Sequence, residues 1–372
     1  MVVPDDEYFD LCATDEYGRE WKVERIRPKL VSRGLNHSVI EGVVSRLVNV
    51  SETVPSAVHI RLLFPERVEI PCTTGTDTTT RIRGQRRSTA QKTNVAEFTS
   101  CDHRFLLLMD DDALWLEIDP EGQRLTPHIE ARIVEALQFV LARPMPWVFR
   151  EKEDGKARCI EVRPRTTIRV ARRFPPISFA RVQGGETVWG LCDQYLRHVM
   201  NHKGEEWHPL SERVHSVLAA SAGSLETHAL TLAVEIEGIL KSEFPTVGAP
   251  DETFRDQIRR AAELINTSSL VESAKKRIAN RLKNMCGPTA TDQLHGLAKV
   301  GDVTAEYVRA WTRLRHRLAH AGHSHRLPPQ EFIDLLTSVT VLLHELVFAA
   351  IGYHGCYTDY GRPGWPQKTP ES

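Results

Sequence analysis

The chain has 372 residues, of which 41% are hydrophobic and 26% are charged, and its formal net charge is −1. This length suits two domains better than one, and the apolar fraction is large enough for two cores. A net charge so close to zero excludes a molecule whose overall field draws it to nucleic acid. Any nucleic-acid site must therefore be a local cationic patch.

The seven cysteines are scattered without a CxxC pair. This pattern speaks against a disulfide framework and a zinc ribbon, so we expect reduced cysteines in a cytoplasmic protein. The acidic first residues lack the apolar core of a signal peptide. The most apolar stretch, Val339–Ile351, is interrupted by His344 and Glu345 and predicts a buried helix. We expect no membrane association, no metal and no cofactor.

Residues 1–204 are predicted to form a strand-rich N-terminal domain. Strands are indicated by β-branched runs and by alternating polarity, in the segments 39–50, 57–64, 105–118 and 167–170. The third of these segments predicts a hairpin that turns at Asp110-Asp111-Asp112.

One clear helix interrupts this half. Thr126 is its predicted N-cap, Pro127 its first residue, and an apolar stripe runs from Ile129 to Val140.

The polar, threonine-rich stretch from Cys72 to Lys92 ends in several basic residues. One interpretation is a long mobile loop with a solvated run of charge. The other is a basic arm in which Arg86 and Arg87 contact RNA phosphates.

From about residue 205 the apolar residues recur with a helical period. Helices are predicted over 210–220, from the N-cap Ser224 to Pro245, over 254–285 with a break near 266–269, over 290–300, from 302 or 303 to 321, and from Pro328 to about 347. We predict an all-helical domain over 205–358 and a disordered tail over 359–372. The expected fold class is α+β, with a strand-rich domain followed by a helical bundle.

The helix predicted to end at Ala321 has one apolar and one cationic face. A helical wheel places Tyr307, Trp311 and Leu314 on the apolar side. The basic residues on or beside the other face are Arg309, Arg313, Arg315, His316, Arg317 and His320. Glu306 is the single acid of this segment, so the face predicts a surface for a polyanion such as RNA.

Arg315 and His320 are separated by about 7.5 Å of helix rise and about 140° around the axis. Both can flank one phosphate, although they are poorly placed to bond each other. A histidine near neutral pKa suits the proton transfers of RNA cleavage, and an arginine suits the charge that builds on phosphorus. A compact site would form if two such helices faced each other across a dimer axis.

The segment Arg315-His316-Arg317-Leu318-Ala319-His320 resembles the Arg-x4-6-His signature of HEPN domains. The surrounding Leu314 to Gly322 resembles the form LRN-x-x-AHG, with two departures: His316 stands for the commoner Asn, and Ala321 separates His320 from Gly322. A divergent N-terminal domain before this segment is similar to the arrangement of Apea-type antiphage proteins.

This resemblance covers roughly residues 205–355. It implies a metal-independent endoribonuclease that acts as a homodimer on host or phage RNA, tRNA among the candidates, with a phage-derived trigger as a candidate activator. Arg315 and His320 would be the catalytic pair, and His316 would occupy the polar position after the arginine. Apart from the resemblance, the cationic helix face and the basic arm indicate that Arg309, Arg313, Arg317, Arg86 and Arg87 would contact RNA.

Other interpretations stay open. Arg315 and His316 could be ordinary surface residues, with His320 favoured by the helix dipole. His320, His323 and His325 could ligate zinc. Glu235 or Glu237 could hold Arg315 by an ion pair or lie in solvent. The whole chain could be a non-catalytic dimeric protein that binds RNA or another ligand.

Overall fold

The computed structural model describes residues 9–33, 38–52, 58–82, 85–122, 124–165, 174–179, 185–319 and 328–369. These residues form two compact units. Unit 1 comprises 1–138, 144–169 and 182–205, and unit 2 comprises 139–143, 170–181 and 206–372. A β-rich N-terminal part precedes a run of helices, which confirms the predicted α+β class.

Unit 1 is built on an antiparallel sheet of eleven described strands. Their bounds are β1 (Phe9–Thr14), β2 (Glu20–Arg33), β3 (Ser38–Val43), β4 (Arg46–Glu52), β5 (His59–Phe64), β6 (Thr74–Ile82), β7 (Gln85–Ser100), β8 (His103–Met109), β9 (Leu114–Pro120), β10 (Phe149–Glu153) and β11 (Ala157–Val162). The strand order is β1-β2-β4-β11-β10-β5-β9-β8-β7-β6, and β3 pairs with β2.

The centre of this sheet follows from alternating polarity. Alternate residues of β5, β8 and β9 are buried, including Ile60, Leu62, Phe105, Leu107 and Leu116, each at 0% exposure. This is the pattern of strands with one face against a core. β8 and β9 form the predicted hairpin, and the amide of Asp110 donates to the carbonyl of Ala113 at 2.9 Å across its turn.

Two predictions for the secondary structure of unit 1 are wrong. The polar stretch after Cys72 is the hairpin β6–β7 rather than a loop. Its many threonines are β-branched and favour extended backbone, although the sequence shows no apolar alternation there. The helix α1 (Ile129–Val140) begins two residues after Pro127, because His128 has a φ of 63°. The candidate strand at 167–170 lies outside the described residues.

The described residues of unit 1 include a second helix, α2 (Glu186–Val199), which we did not predict. Its buried residues recur at helical spacing, among them Val188, Leu191, Tyr195 and Val199. The segment also contains Gly190 and several β-branched or aromatic residues, which are weak helix formers. Packing of the apolar face outweighs these local preferences.

The described residues of unit 2 form seven helices. They are α3 (Pro209–Ala220), α4 (Leu225–Glu243), α5 (Glu252–Thr267), α6 (Glu272–Met285), α7 (Ala290–Val300), α8 (Ala305–Ala319) and α9 (Pro329–Ile351). Ser224 caps α4 as predicted, by accepting a bond from the amide of Thr227. The predicted break between α5 and α6 is also present. Gly301, with a φ of 89°, ends α7 in the left-handed conformation that favours glycine and turns the chain into α8.

The helix α9 forms the centre of unit 2. Its 23 residues are long and apolar enough to cross a membrane, which makes the apolar stretch longer than we predicted. However, 67% of its most apolar window is buried inside the protein. Leu342, Leu346 and Val347 are fully buried, and His344 and Glu345 are 4% exposed. This burial is that of a core helix, as expected from the interrupting polar residues.

The predicted disordered tail is corrected over 359–369. β12 (Tyr357–Thr358) and β13 (Gln367–Lys368) form a two-stranded sheet, and Asp359 is completely buried. Prolines and the lack of apolar periodicity suggested disorder. Hydrogen bonds of individual polar side chains hold the segment instead, and such bonds leave no periodic signal in a sequence.

Unit 2 also takes in two short segments from the N-terminal half. The ring of Phe139 lies 6.0 Å from that of His344. The amide of Ser178 donates to the hydroxyl of Thr358 at 2.8 Å, and the hydroxyl of Tyr360 donates to the carbonyl of Pro175 at 2.9 Å. Unit 2 therefore includes residues before and after the predicted range of 205–358 and is not one continuous stretch of chain.

Candidate functional site

The helix α8 carries the candidate site and has the two faces that the wheel predicted. Tyr307, Val308, Trp311 and Leu314 are at most 1% exposed and pack into unit 2. Arg309, Arg313, Arg315 and His316 are exposed, and Arg317 is half-buried. The apolar face fixes the helix, and its basic side chains are thereby presented to solvent.

Glu345 of α9 fixes the start of α8. Its carboxylate accepts from the amide of Thr304 at 2.8 Å, from the hydroxyl of Thr304 at 2.6 Å and from the hydroxyl of Tyr357 at 2.8 Å. Burial raises the pKa of Glu345. An acidic group at a helix N-terminus satisfies unpaired amides and complements the helix dipole. Glu345 therefore acts as the cap of α8, contributed by another helix.

A second anchor joins the first turn of α8 to the tail. The hydroxyl of Tyr307 donates to the carboxylate of Asp359, which also pairs with the ammonium of Lys368 at 2.5 Å. Burial, followed by the neighbouring Asp359, raises the pKa of Tyr307. The hydroxyl therefore stays protonated and keeps donating. These contacts hold α8 at the end opposite Arg315.

Arg315 is held from two sides. Its Nε lies 2.7 Å from Oε1 of Glu237 in α4, and its guanidinium carbon lies 5.3 Å from the ring centroid of Trp311. The Trp311 indole in turn points its N–H to the carbonyl of Ala233 at 3.4 Å. The side chain of Arg315 is still 50% exposed, so a ligand can reach it.

Acidic residues of other helices neutralise part of the cationic face. Besides the pair of Arg315 with Glu237, Arg313 Nη2 lies 2.7 Å from Oε1 of Glu331 in α9. The prediction that the face has almost no acid to balance it is therefore corrected. The wheel describes one helix at a time, whereas these carboxylates come from helices that pack beside it.

The remaining predicted residues lie on α8, on β7 and outside the described residues. His316 is exposed on α8, one position after Arg315. His320, His323 and His325, the residues of the predicted catalytic pair and of the zinc alternative, lie outside the described residues. Arg86 and Arg87 belong to β7 of unit 1, where they pair with Arg81 and Thr80 of β6. Their side chains are not among those that the structure describes.

The two glutamates of α4 have different partners. Glu237 pairs with Arg315, which is one of the roles considered for this pair of residues. Glu235 instead accepts from Nη1 of Arg213 in α3 at 3.0 Å. Glu235 therefore ties α3 to α4, and Glu237 is the residue that positions the candidate site.

One cluster of potential metal ligands, which we did not predict, occurs in unit 1. His59, Glu151 and Glu153 place their ligand atoms within 4.8 Å of one another. Arg158 donates from Nε to Glu151 at 2.6 Å and lies 3.5 Å from Glu153. Because an arginine already balances both carboxylates, these residues form an ion-paired network rather than an open cation site.

Comparisons of the chain with protein families, with curated proteins and with solved structures find no match.

Proposed function

We propose that this protein is a metal-independent endoribonuclease of the HEPN type, which acts in the cytoplasm as a homodimer during defence against phage. The observation that carries the proposal is the presentation of Arg315. It projects from a cationic helix face with half of its side chain exposed, and Glu237 and Trp311 hold it in place. The resemblance of 314–322 to the HEPN motif gives this arrangement its chemical interpretation.

The chemistry requires one base, one acid and one fixed cation. A histidine, His320, takes the proton of the ribose 2′-hydroxyl, whose oxygen then attacks phosphorus. The bond from phosphorus to the 5′-oxygen breaks, and this oxygen receives a proton from the acid, the His320 of the second protomer. Arg315 stabilises the charge on the pentacovalent phosphorus through two donors. The products are a 2′,3′-cyclic phosphate and a 5′-hydroxyl.

Cleavage of a defined RNA by the purified full-length protein tests this function. Arg315→Ala and His320→Ala should each lower the rate by at least about a hundredfold, which is the scale of general acid–base and electrostatic contributions. Arg197→Ala is the control, since it removes an exposed, ion-paired arginine of α2 that has no predicted role in the site. EDTA should leave cleavage unchanged. Equal rates for the wild type and both site variants, or loss of cleavage with EDTA, would refute the proposal.

The ion pair of Arg315 also favours a second candidate function, a non-catalytic protein that binds RNA or another ligand. A guanidinium that is already paired with Glu237 carries less free charge for a phosphate than an isolated one. Under this alternative the purified dimer binds RNA without cutting it, and Arg315→Ala changes affinity alone. Product analysis in the experiment above separates the two functions.

A further inference from the structure

The helices α5 and α6 form a hairpin that packs mainly on itself. Among their described side chains, Ile258 is buried and the others are partly or fully exposed. Leu264 and Val271, at the end where the helices meet, are 72% and 70% exposed. Two helices that bury so little against the rest of unit 2 contribute little to its core, and their outer surfaces are available to a partner.

The charges of the two helices differ. α5 has three acids and three arginines, and within it Arg255 and Arg259 pair with Glu252. α6 has one acid, Glu272 in its first turn, and five basic residues, which are Lys275, Lys276, Arg277, Arg281 and Lys283. Because an ordinary solvated face mixes both signs, the composition of α6 is unusual. It is a local cationic surface on a chain whose net charge is −1.

Four of these basic side chains lie on one side of α6. Lys276, Arg277, Arg281 and Lys283 are exposed and fall within an arc of about 160°, while Ile278 and Leu282 turn toward α5. They span about 10 Å of helix rise. This length corresponds to about three nucleotides of a stacked strand at about 3.4 Å each.

These four cations have no carboxylate within ion-pair distance among the described residues. Arg313 and Arg315 of α8 are both paired with glutamates, so each carries less free charge for a polyanion than these four cations. Beside the cations, a groove of about 210 Å³ between α5 and α6 has an apolar floor of Ile258, Ala262 and Leu282, with Lys283 at its edge.

We propose that the exposed face of α6 binds the phosphate backbone of RNA. The inference deepens the proposed ribonuclease, on which it rests for the identity of the polyanion, by naming a surface that holds the substrate outside the cleaving centre. Phosphate contacts of this kind position a strand without reading its sequence. No aromatic side chain lies among the four cations, so binding depends on charge and therefore on salt.

A strand of RNA fits this surface better than an anionic membrane does. A bilayer would be touched by the apolar end near Val271, and the cations lie between about 7.5 and 18 Å further along the helix. Attraction to a charged surface falls off within about 8 Å at physiological salt. Lys276 alone would lie within this range, whereas a strand lying along α6 reaches all four.

Fluorescence anisotropy with a labelled single-stranded RNA tests this surface. The full-length protein carries Arg315→Ala, so that binding is measured without cleavage. The test variant adds Lys276→Gln, Arg277→Gln and Arg281→Gln. The control adds Lys203→Gln, Lys241→Gln and Lys299→Gln, which remove the same charge from exposed lysines dispersed over the chain. Circular dichroism verifies that both fold.

We expect the α6 variant to bind at least about tenfold more weakly, and its plot of log K against log salt to be shallower by about 2, since each phosphate contact to a single strand contributes about 0.7. The control should stay within about twofold of its parent. Unchanged affinity and slope in the α6 variant would overturn the inference, even if the wild type cleaves RNA. So would binding of the parent to phosphatidylserine vesicles but not to RNA.

The two proposals fail in different ways. If the α6 variant loses RNA binding but the wild type cleaves nothing, the surface stands and the ribonuclease does not. If the wild type cleaves RNA and the α6 substitutions leave binding intact, the ribonuclease stands and the surface does not.

Discussion

The carboxylate of Glu237 in α4 lies 2.7 Å from Nε of Arg315 in α8 and orients a guanidinium that stays half exposed. The contact engages Nε of the arginine, and half of the side chain stays accessible to a ligand. A glutamate in this position can hold the guanidinium of Arg315 in place for a phosphate. Nothing in the sequence of α4 identifies Arg315 as the partner of Glu237.

Replacement of Glu237 by glutamine should therefore affect catalysis more than stability. An ion pair this exposed contributes about 0–1 kcal/mol to folding. If Arg315 is the cation of the cleaving centre, misplacement of its side chain should lower kcat by about tenfold to a hundredfold with little change in KM. Single-turnover cleavage and urea denaturation measure the two effects. Glu235→Gln, which affects the pair with Arg213 instead, is the control, and equal rates in all three proteins would contradict the prediction.

Removal of the Glu345 side chain should destabilise unit 2. Glu345→Ala leaves the amide and hydroxyl of Thr304 and the hydroxyl of Tyr357 without their acceptor. Each buried polar group left unpaired costs about 1–3 kcal/mol, so for three groups we expect a loss of at least about 3 kcal/mol in the free energy of unfolding. Glu345→Gln keeps one acceptor oxygen and should lose less. Glu331→Ala, at an exposed ion pair, should change stability by under about 1 kcal/mol, and a similar loss at both sites would show that Glu345 has no special role.

Stability should fall at mildly acidic pH because of His344. Burial lowers the pKa of this histidine from 6.5 to about 3. Between these values the unfolded chain binds a proton that the folded protein does not, so His344 favours unfolding more strongly as pH falls below 6.5. The effect approaches about 1.4 kcal/mol for each pH unit.

We expect His344→Phe to flatten the decline between pH 6.5 and 4.5 by roughly 2 kcal/mol, measured by urea denaturation at several pH values. The comparison is made as a difference from the wild type because Glu345, whose pKa is raised, acts in the opposite direction with pH. Replacement of the exposed His295 by phenylalanine is the control. Parallel curves for the wild type and His344→Phe would refute this role.

Loss of the tail should weaken unit 2 although the sequence suggested disorder there. Asp359→Ala removes the acceptor of Tyr307 and the partner of Lys368, and breaking a buried pair in this way costs about 3–5 kcal/mol. We expect a decrease in Tm of about 6–20 °C, with about 2–4 °C for each kcal/mol in a unit of this size. Truncation after Thr369 leaves these contacts intact and should change Tm very little. Equal Tm values for Asp359→Ala and the wild type would restore the expectation of a disordered tail.

The helices of unit 2 could be predicted from the sequence because each signals itself locally. The apolar residues of α8 recur with its own period, and Ser224 and Gly301 mark helix ends by their own conformations and side chains. The partners of the candidate site carry no such signal. Glu237, Glu331 and Asp359 lie on three other segments, and it is tertiary packing that brings them to α8.

Predictions for unit 1 were wrong where strands lack the alternation of apolar and polar residues from which we predicted strands. β6 and β7 are polar at almost every position, so they resemble a loop in composition, yet they pair along most of their length. Pairing satisfies backbone groups whatever the side chains are. For the motif segment itself, the prediction that Arg315 and His320 act together stays a prediction.

Unit 2 is assembled from three separate stretches of chain, and this limits how it could have moved between proteins in evolution. A gene fragment that begins at residue 206 would leave behind Phe139, whose ring packs beside His344, and Pro175 and Ser178, which bond to Tyr360 and Thr358. A fragment that begins there would therefore lack contacts of the folded unit. Exchange of the N-terminal partner would have to preserve both short segments, so the two halves of this chain are expected to be inherited together.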